Sequence, residues 1–278
     1  MIVIADSGST KTEWCFIEKE IILERITSKG INPYFENEED ITLEVKYVFS
    51  KFNFNNKISD IYFYGAGCTP EKRDIVKNAI SIVVGDNIHI EVESDLLGAA
   101  RALFGRDRGI ASILGTGSNS CYYNGEYIEK NISPLGFILG DEGSGAVISK
   151  LFIGALLKNQ FGENFKHQFL SECNLSTEEI IDRIYRKPFP NRFLASLSPI
   201  IVKYVYDERI YSLILNCFKD FFKRNIMQYD YKNLKVAFIG SVAFHYKDIL
   251  TEAAKEFDIS IDKIIISPIK GLAEFHRL

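Results

Sequence analysis

Cysteine is scarce and scattered: five residues, at positions 15, 68, 121, 173 and 217, with no CxxC pair and an odd total. That argues against a disulfide framework and points to a reducing compartment. It also leaves no cysteine cluster for zinc and no closely spaced thiolates for an iron–sulfur cluster. Histidine is rarer still: His89, His167, His245 and His276 stand 31 or more residues apart, without the local spacing of a metal site. No dense run of Lys or Arg occurs, and 33 basic against 37 acidic residues leave a net charge of −4. A nucleic-acid partner held by counterion release is therefore not expected. No apolar run approaches the ~18 residues of a membrane span. The opening MIVIADSGST has no basic stretch and turns polar after five residues, unlike a secretory signal. These absences lead us to expect a soluble, cytoplasmic protein with no membrane partner. The string GxxxxGKS/T is missing too, which excludes a P-loop nucleotide site.

What is present is a globular composition, 46% hydrophobic and 25% charged. At ~150 residues per domain, the length suggests two domains or one large one. Such a chain buries roughly three quarters of its unfolded surface and needs no staple. Met1–Ala5, Thr12–Glu18 and Ile21–Thr27 read as a three-stranded meander, and Glu38–Lys51 carries Ile41, Val45, Val48 and Phe49 at helical spacing. A strand at Asp60–Tyr64, a helix near Glu71–Val84, a strand at Asn87–Val92 and a helix from about Ser94 to Phe104 follow, with Ser94 as N-cap. This order predicts an α/β fold with a mixed sheet.

A similar order restarts at Gly109–Leu114, a strand that breaks into Gly115-Thr116-Gly117-Ser118. Asn124-Gly125 predicts a type I′ turn joining Cys121–Tyr123 to Glu126–Glu129. A long helical stretch is expected from about Glu142 to Met227, interrupted near Pro188 and Pro190. A strand at Leu234–Ile239, a helix at Val242–Phe257, a strand at Ile261–Ile266 and a closing helix from Ile269 complete the chain. Laying Ile4–Ser9 over Ile113–Ser118 gives a few identities, which together with the repeated order suggests duplication.

Two Gly/Ser/Thr hairpin turns, one in each half, carry the candidate chemistry. In Asp6-Ser7-Gly8-Ser9-Thr10-Lys11-Thr12 the glycine allows close approach of a ligand, and the N–H and hydroxyl donors suit phosphate oxygens. The carboxylate at the strand end can hold Mg²⁺. An ordinary polar β-turn reads the same way when this string is taken alone. Gly115-Thr116-Gly117-Ser118 lacks the third glycine of a dinucleotide fingerprint and leads into a hairpin, so a nicotinamide site is excluded. Gly240-Ser241 follows a strand and opens a helix, where small residues let a flat ring lie against the backbone; a plain strand-to-helix turn is the other reading.

These two loops, with Gly-Asp-Glu-Gly-Ser at 140–144 and Phe-Ile-Gly-Ser at 238–241, resemble the actin/Hsp70/sugar-kinase superfamily over essentially the whole chain. Within it the sequence looks like the BadF/BadG/BcrA/BcrD group, which includes the N-acetylglucosamine kinases. The resemblance implies two ribonuclease H-like (actin-like ATPase) domains with an interdomain cleft. The domains would span 1–105, joined by a C-terminal helix at 266–278, and 106–265. The implied cofactors are ATP and Mg²⁺. Asp6 would hold the metal, while Gly8, Ser9, Thr10, Lys11 and Thr12, with Gly115, Thr116, Gly117 and Ser118, would meet the phosphates. Gly240 and Ser241 would meet the adenosine. Asp95 would take the proton of the acceptor hydroxyl, and Asn32, Asp95, Thr116, Gly117 and Asp141 would touch the sugar.

The residues support these roles and leave blander ones open. A carboxylate at a helix N-terminus is fixed in direction and stabilised as the anion, though Asp95 could equally be helix-start decoration. Asp141-Glu142 could cap the helix that follows them, and Asn32 before Pro33 could only shape a turn. The expected function is ATP-dependent transfer of the γ-phosphoryl group to a hydroxyl of an amino sugar, foremost N-acetylglucosamine. Alternatives are an ATPase that drives a partner protein and a non-catalytic nucleotide or sugar sensor. A homodimer is left open.

Overall fold

The computed structural model describes residues 1–19, 21–51 and 58–276; Arg277 and Leu278 of the expected closing segment lie outside them. The chain divides into two compact units. The first is Met1–Arg108 with Tyr123–Ile128 and Ser267–Leu278, and the second is Gly109–Tyr122 with Glu129–Ile266. The hairpin tip at 123–128, assigned from sequence to the second half, thus belongs to the first unit.

In the first unit the elements are β1 (Ile2–Ser7), β2 (Lys11–Glu18), β3 (Ile21–Lys29), α1 (Glu38–Lys51), β4 (Asp60–Gly65), α2 (Arg73–Val84), β5 (His89–Ser94) and α3 (Asp95–Phe104). Side chains alternate across a strand, and both faces of this sheet are buried. Val3, Ala5, Trp14, Phe16 and Phe63 pack with the apolar stripes of α1 and α2, whereas Ile4, Cys15, Tyr62 and Tyr64 form a separate layer on the opposite face. The sheet order is β3-β2-β1-β4-β5. β1 to β3 pair antiparallel as a meander, and β4 and β5 extend the sheet parallel to β1.

The second unit contains β6 (Gly109–Leu114), β7 (Ser118–Tyr123), β8 (Ile128–Ile132), α4 (Gly136–Leu139), α5 (Gly145–Leu157), α6 (Glu163–Cys173), α7 (Thr177–Tyr185), α8 (Pro190–Ser196), α9 (Ser198–Ile201), α10 (Glu208–Arg224), β9 (Val236–Ile239), α11 (Ser241–His245), α12 (Lys247–Lys255) and β10 (Ile261–Ile265). Its sheet runs β10-β9-β6-β7-β8, the same topology as the first when β6 is matched to β1. This repeated βββαβαβ pattern is the ribonuclease H-like arrangement in both units. The last helix, α13 (Ile269–Phe275), packs on α3 in the first unit, where Ile269 and Leu272 join the layer of Tyr62 and Tyr64. No described helix is long and apolar enough to cross a membrane.

Three expectations need correction. The stretch 142–227 is broken at more places than its prolines. Gly162 takes φ +92° before α6, Asn174 ends α6 in the left-handed region, and Ser176 opens α7 with a reciprocal capping box to Glu179. The expected helix Val242–Phe257 is two helices meeting at Tyr246, whose ring is buried. The 124–125 turn is not type I′, which needs positive φ at both central residues; only Gly125 has it. Instead Asn124 Oδ1 accepts the N–H groups of Glu126 and Tyr127, both at 3.0 Å, and the strand resumes at Ile128.

Candidate active site

Strand register assembles the first group of residues. Ser7 lies opposite Gly65, and Gly65 opposite Ser94, so β1, β4 and β5 end in one row. Ligands of open α/β sheets bind beyond such carboxyl ends. Asp6 stands one residue before this row, and Asp95 one residue after it, as the first residue of α3.

The β1–β2 turn is pinned from within. Gly8 N–H donates to Lys11 O at 3.0 Å. Thr12 Oγ1 donates to Lys29 O at 2.8 Å, and Ser7 Oγ donates to Ile31 O at 3.0 Å. Both hydroxyls are fully buried, so Thr12 supports the turn rather than offering its hydroxyl to a phosphate. Gly30 underlies the loop: its N–H donates to Thr10 O at 3.1 Å, and a Cβ there would collide with Gly8 O. Ser9 is half-buried and Thr10 and Lys11 are exposed, which leaves Ser9 Oγ and the Lys11 ammonium for a ligand.

Asp6 is half-buried. Burial, then the charges of Asp95 and Glu13, push its carboxyl from 3.8 up to about 7, against the pull of Lys11. The Asp95 carboxyl is held by Leu96 N–H, 2.8 Å from Oδ1, while Ser94 Oγ caps α3 by accepting Leu97 N–H at 3.2 Å. Burial raises Asp95 from 3.8 to about 6, opposed by the backbone hydrogen bonds. A base of this pKa is ionised at neutral pH yet able to accept a proton. Among the described residues no three His, Cys, Asp or Glu converge as a cation cage. Mg²⁺ needs none, since one or two carboxylates, waters and phosphate oxygens suffice. Asp6, with a like charge pressing on it, fits that donor set. Asn32 is a turn former here: its Oδ1 accepts Tyr34 N–H at 2.9 Å and packs against Gly67. Its amide nitrogen makes no hydrogen bond among the described residues, which leaves that end for a ligand.

In the second unit α5 holds the other loop. Gly115 N–H closes the turn on Gly117 O at 2.9 Å, Gly145 N–H donates to Gly115 O at 2.8 Å, and Ala146 N–H to Thr116 O at 3.2 Å. The cap of α5 is Ser144, which accepts Val147 N–H at 3.2 Å; neither Asp141 nor Glu142 caps it. Asp141, at φ +54°, accepts Ser118 N–H on Oδ1 at 3.4 Å and lies beside Gly117. Its carboxyl rises from 3.8 to about 6, chiefly through burial. Glu142 is buried and paired with Arg224 and Asn225. Gly240, at φ +119°, follows β9 and its N–H donates to Ile265 O at 3.0 Å; a Cβ would strike Leu114 O at the end of β6. β6 and β9 end together, Ile113 opposite Ile239, so the second loop and Gly240-Ser241 share one edge. They open on a pocket of about 130 Å³ lined by Gly115, Thr116, Ser198, Ser241, His245 and Tyr246. Ser198 and Tyr246 escaped sequence reading; the only local signal was Ser198-Pro199 as a helix start.

No protein-family model matches the chain, and no curated protein does. Among solved structures it is similar to one described as a "putative N-acetylglucosamine kinase" from Porphyromonas gingivalis. The two share 46% identity over 99% of this chain and 98% of that one, with a TM-score of 0.93. The chain belongs to the N-acetylglucosamine kinase-like family of the actin/Hsp70/sugar-kinase superfamily. Two more distant structures share its fold. One is another "putative N-acetylglucosamine kinase", from Chromobacterium violaceum (15% identity, 99% of this chain, 98% of that chain, TM-score 0.72). The other is a ROK family glucokinase from Streptomyces griseus in complex with glucose and AMPPNP (15% identity, 99% of this chain, 97% of that chain, TM-score 0.57).

Proposed function

We propose that this protein transfers the γ-phosphoryl group of ATP to a hydroxyl of an amino sugar, N-acetylglucosamine before others. The observation that carries the reading is a half-buried carboxylate near pKa 6, Asp95, fixed at the start of α3 beside the strand-end Asp6. The substrate class is brought by the likeness to the Porphyromonas gingivalis protein.

In this mechanism Asp95 accepts the proton of the acceptor hydroxyl as its oxygen bonds to the γ-phosphorus and the bond from that phosphorus to the bridging oxygen of ADP breaks, ADP leaving. Leu96 N–H keeps the carboxylate aimed. Asp6 would hold Mg²⁺, which supplies charge neutralisation on the β- and γ-phosphate oxygens. Ser9, Lys11 and the turn at Gly8 bind phosphate, as do Thr116, Gly117 and Ser118, with Gly240 and Ser241 under the adenosine. The amide nitrogen of Asn32 and the carboxylate of Asp141 bind groups of the sugar.

The test is ADP release with ATP and Mg²⁺ against a panel of amino sugars and hexoses. Turnover that depends on N-acetylglucosamine supports the kinase. Sugar-independent hydrolysis turns the reading to a coupling ATPase, and nucleotide binding without turnover turns it to a sensor.

A further inference from the structure

Ser198 and Tyr246, buried at 5% and 2% exposure on the wall of the second unit's pocket, share two protons among three heteroatoms. Tyr246 Oη donates to Ser198 O at 2.8 Å and lies 3.2 Å from Ser198 Oγ. A phenol has one proton, and here the carbonyl takes it. The Oγ–Oη contact is therefore a hydrogen bond only if Ser198 donates to Tyr246. Burial makes an unmade bond expensive and keeps the phenol protonated, pushed up to about 12. Both protons are thus committed, and Ser198 Oγ has only lone pairs left to offer the pocket.

We infer that Ser198, oriented by Tyr246, makes this pocket select a nucleotide base bearing an N–H donor, the 6-amino group of a purine, over one with a carbonyl there. The inference rests on the nucleotide reading proposed above. Ser241 and His245 are exposed at the pocket, so a hydroxyl that rotates and a ring that changes tautomer suit either base. Ser198 cannot rotate its proton inward without abandoning Tyr246. A site committed to accepting a hydrogen bond rejects an analogue that presents a second acceptor, because two oxygens then face each other unpaired.

The test is calorimetric binding of ADP and IDP, which differ in the group at C6 (amino against carbonyl) and in the proton that IDP carries on N1, to the wild-type protein, Ser198→Ala and Tyr246→Phe. The wild type should bind ADP roughly tenfold or more tighter than IDP. Ser198→Ala should collapse that ratio, weakening ADP by the lost acceptor and tightening IDP by removing one of the two facing oxygens. Tyr246→Phe frees the Ser198 proton, so its ratio should shift toward IDP, a change that loss of packing alone would not produce. A wild-type ratio within twofold of unity, or a Ser198→Ala ratio equal to the wild type's, overturns the inference; if Tyr246→Phe does not fold, these two proteins decide it. ATP-dependent sugar turnover with no preference between the bases would sink this inference alone. Failure to bind either nucleotide would sink the functional reading with it.

Discussion

Replacing Asp95 with Asn separates chemistry from architecture. The asparagine Oδ1 can still accept Leu96 N–H, and the Ser94 cap of α3 is untouched, so the fold and nucleotide binding should survive. The amide cannot take the hydroxyl proton, and loss of a positioned base costs on the order of 10²–10⁴ in rate. Stability should move the other way. The folded carboxyl sits at about 6 against an ordinary 3.8, so between those values the native state binds more protons than the unfolded one, and ionisation at higher pH weakens the fold. By linkage this costs up to about 3 kcal/mol at pH 8. Asn escapes it, and at roughly 2–4 °C per kcal/mol the variant should melt several degrees higher at pH 8. The gain should shrink toward pH 4, where Asp95 is protonated in the folded state and roughly half protonated in the unfolded one. In the wild type kcat/KM should fall with acid below about pH 6, as the base protonates. ADP-release kinetics with N-acetylglucosamine and thermal melts at pH 4.5 and 8 provide the assay. Turnover of Asp95→Asn within tenfold of the wild type, or a lower melting temperature at pH 8, would refute the assignment.

Asp141→Ala should raise the sugar KM about ten- to a hundredfold, from ~1.5–3 kcal/mol for a hydrogen bond to a charged group, and Asn32→Ala about two- to tenfold, from ~0.5–1.5 kcal/mol for a neutral one, with the ATP KM little changed. Because Asn32 also holds Tyr34 N–H, melting temperatures must be read alongside, and an unchanged sugar KM would reduce it to a turn residue. Gly240→Ala forces a Cβ into Leu114 O at φ +119°. It should cost about 1–3 kcal/mol of stability and weaken ADP binding by calorimetry; a variant as stable and as tight as the wild type would contradict the packing described.

Much of the candidate site is legible in the sequence because it is written in local chemistry. Asp6–Thr12 and Gly115–Ser118 are tight turns that only small and polar residues build, and Ser94 announces its helix as Ser caps do. Helix α1 was read at its observed bounds, because its apolar spacing and the acidic first turn agree. Local chemistry misled where partners lie far along the chain. Thr12 looked like a phosphate donor, but Lys29 and Ser7 claim its hydroxyl. Asp141 and Glu142 looked like caps, but Ser144 caps, and Asp141 meets Ser118 while Glu142 meets Arg224.

What the sequence by itself determined is which residues can turn, cap, ionise and bury, since these depend on neighbours within a few positions. Tertiary structure alone decided which of them meet. Strand pairing aligns Ser7, Gly65 and Ser94 into one edge and so brings Asp95 to Asp6 from 89 residues away. Folding α9 against the α11–α12 junction brings Ser198 to Tyr246. Their shifted pKa values and committed protons arise from burial and opposed charge, which no string of letters contains until the chain has closed around them.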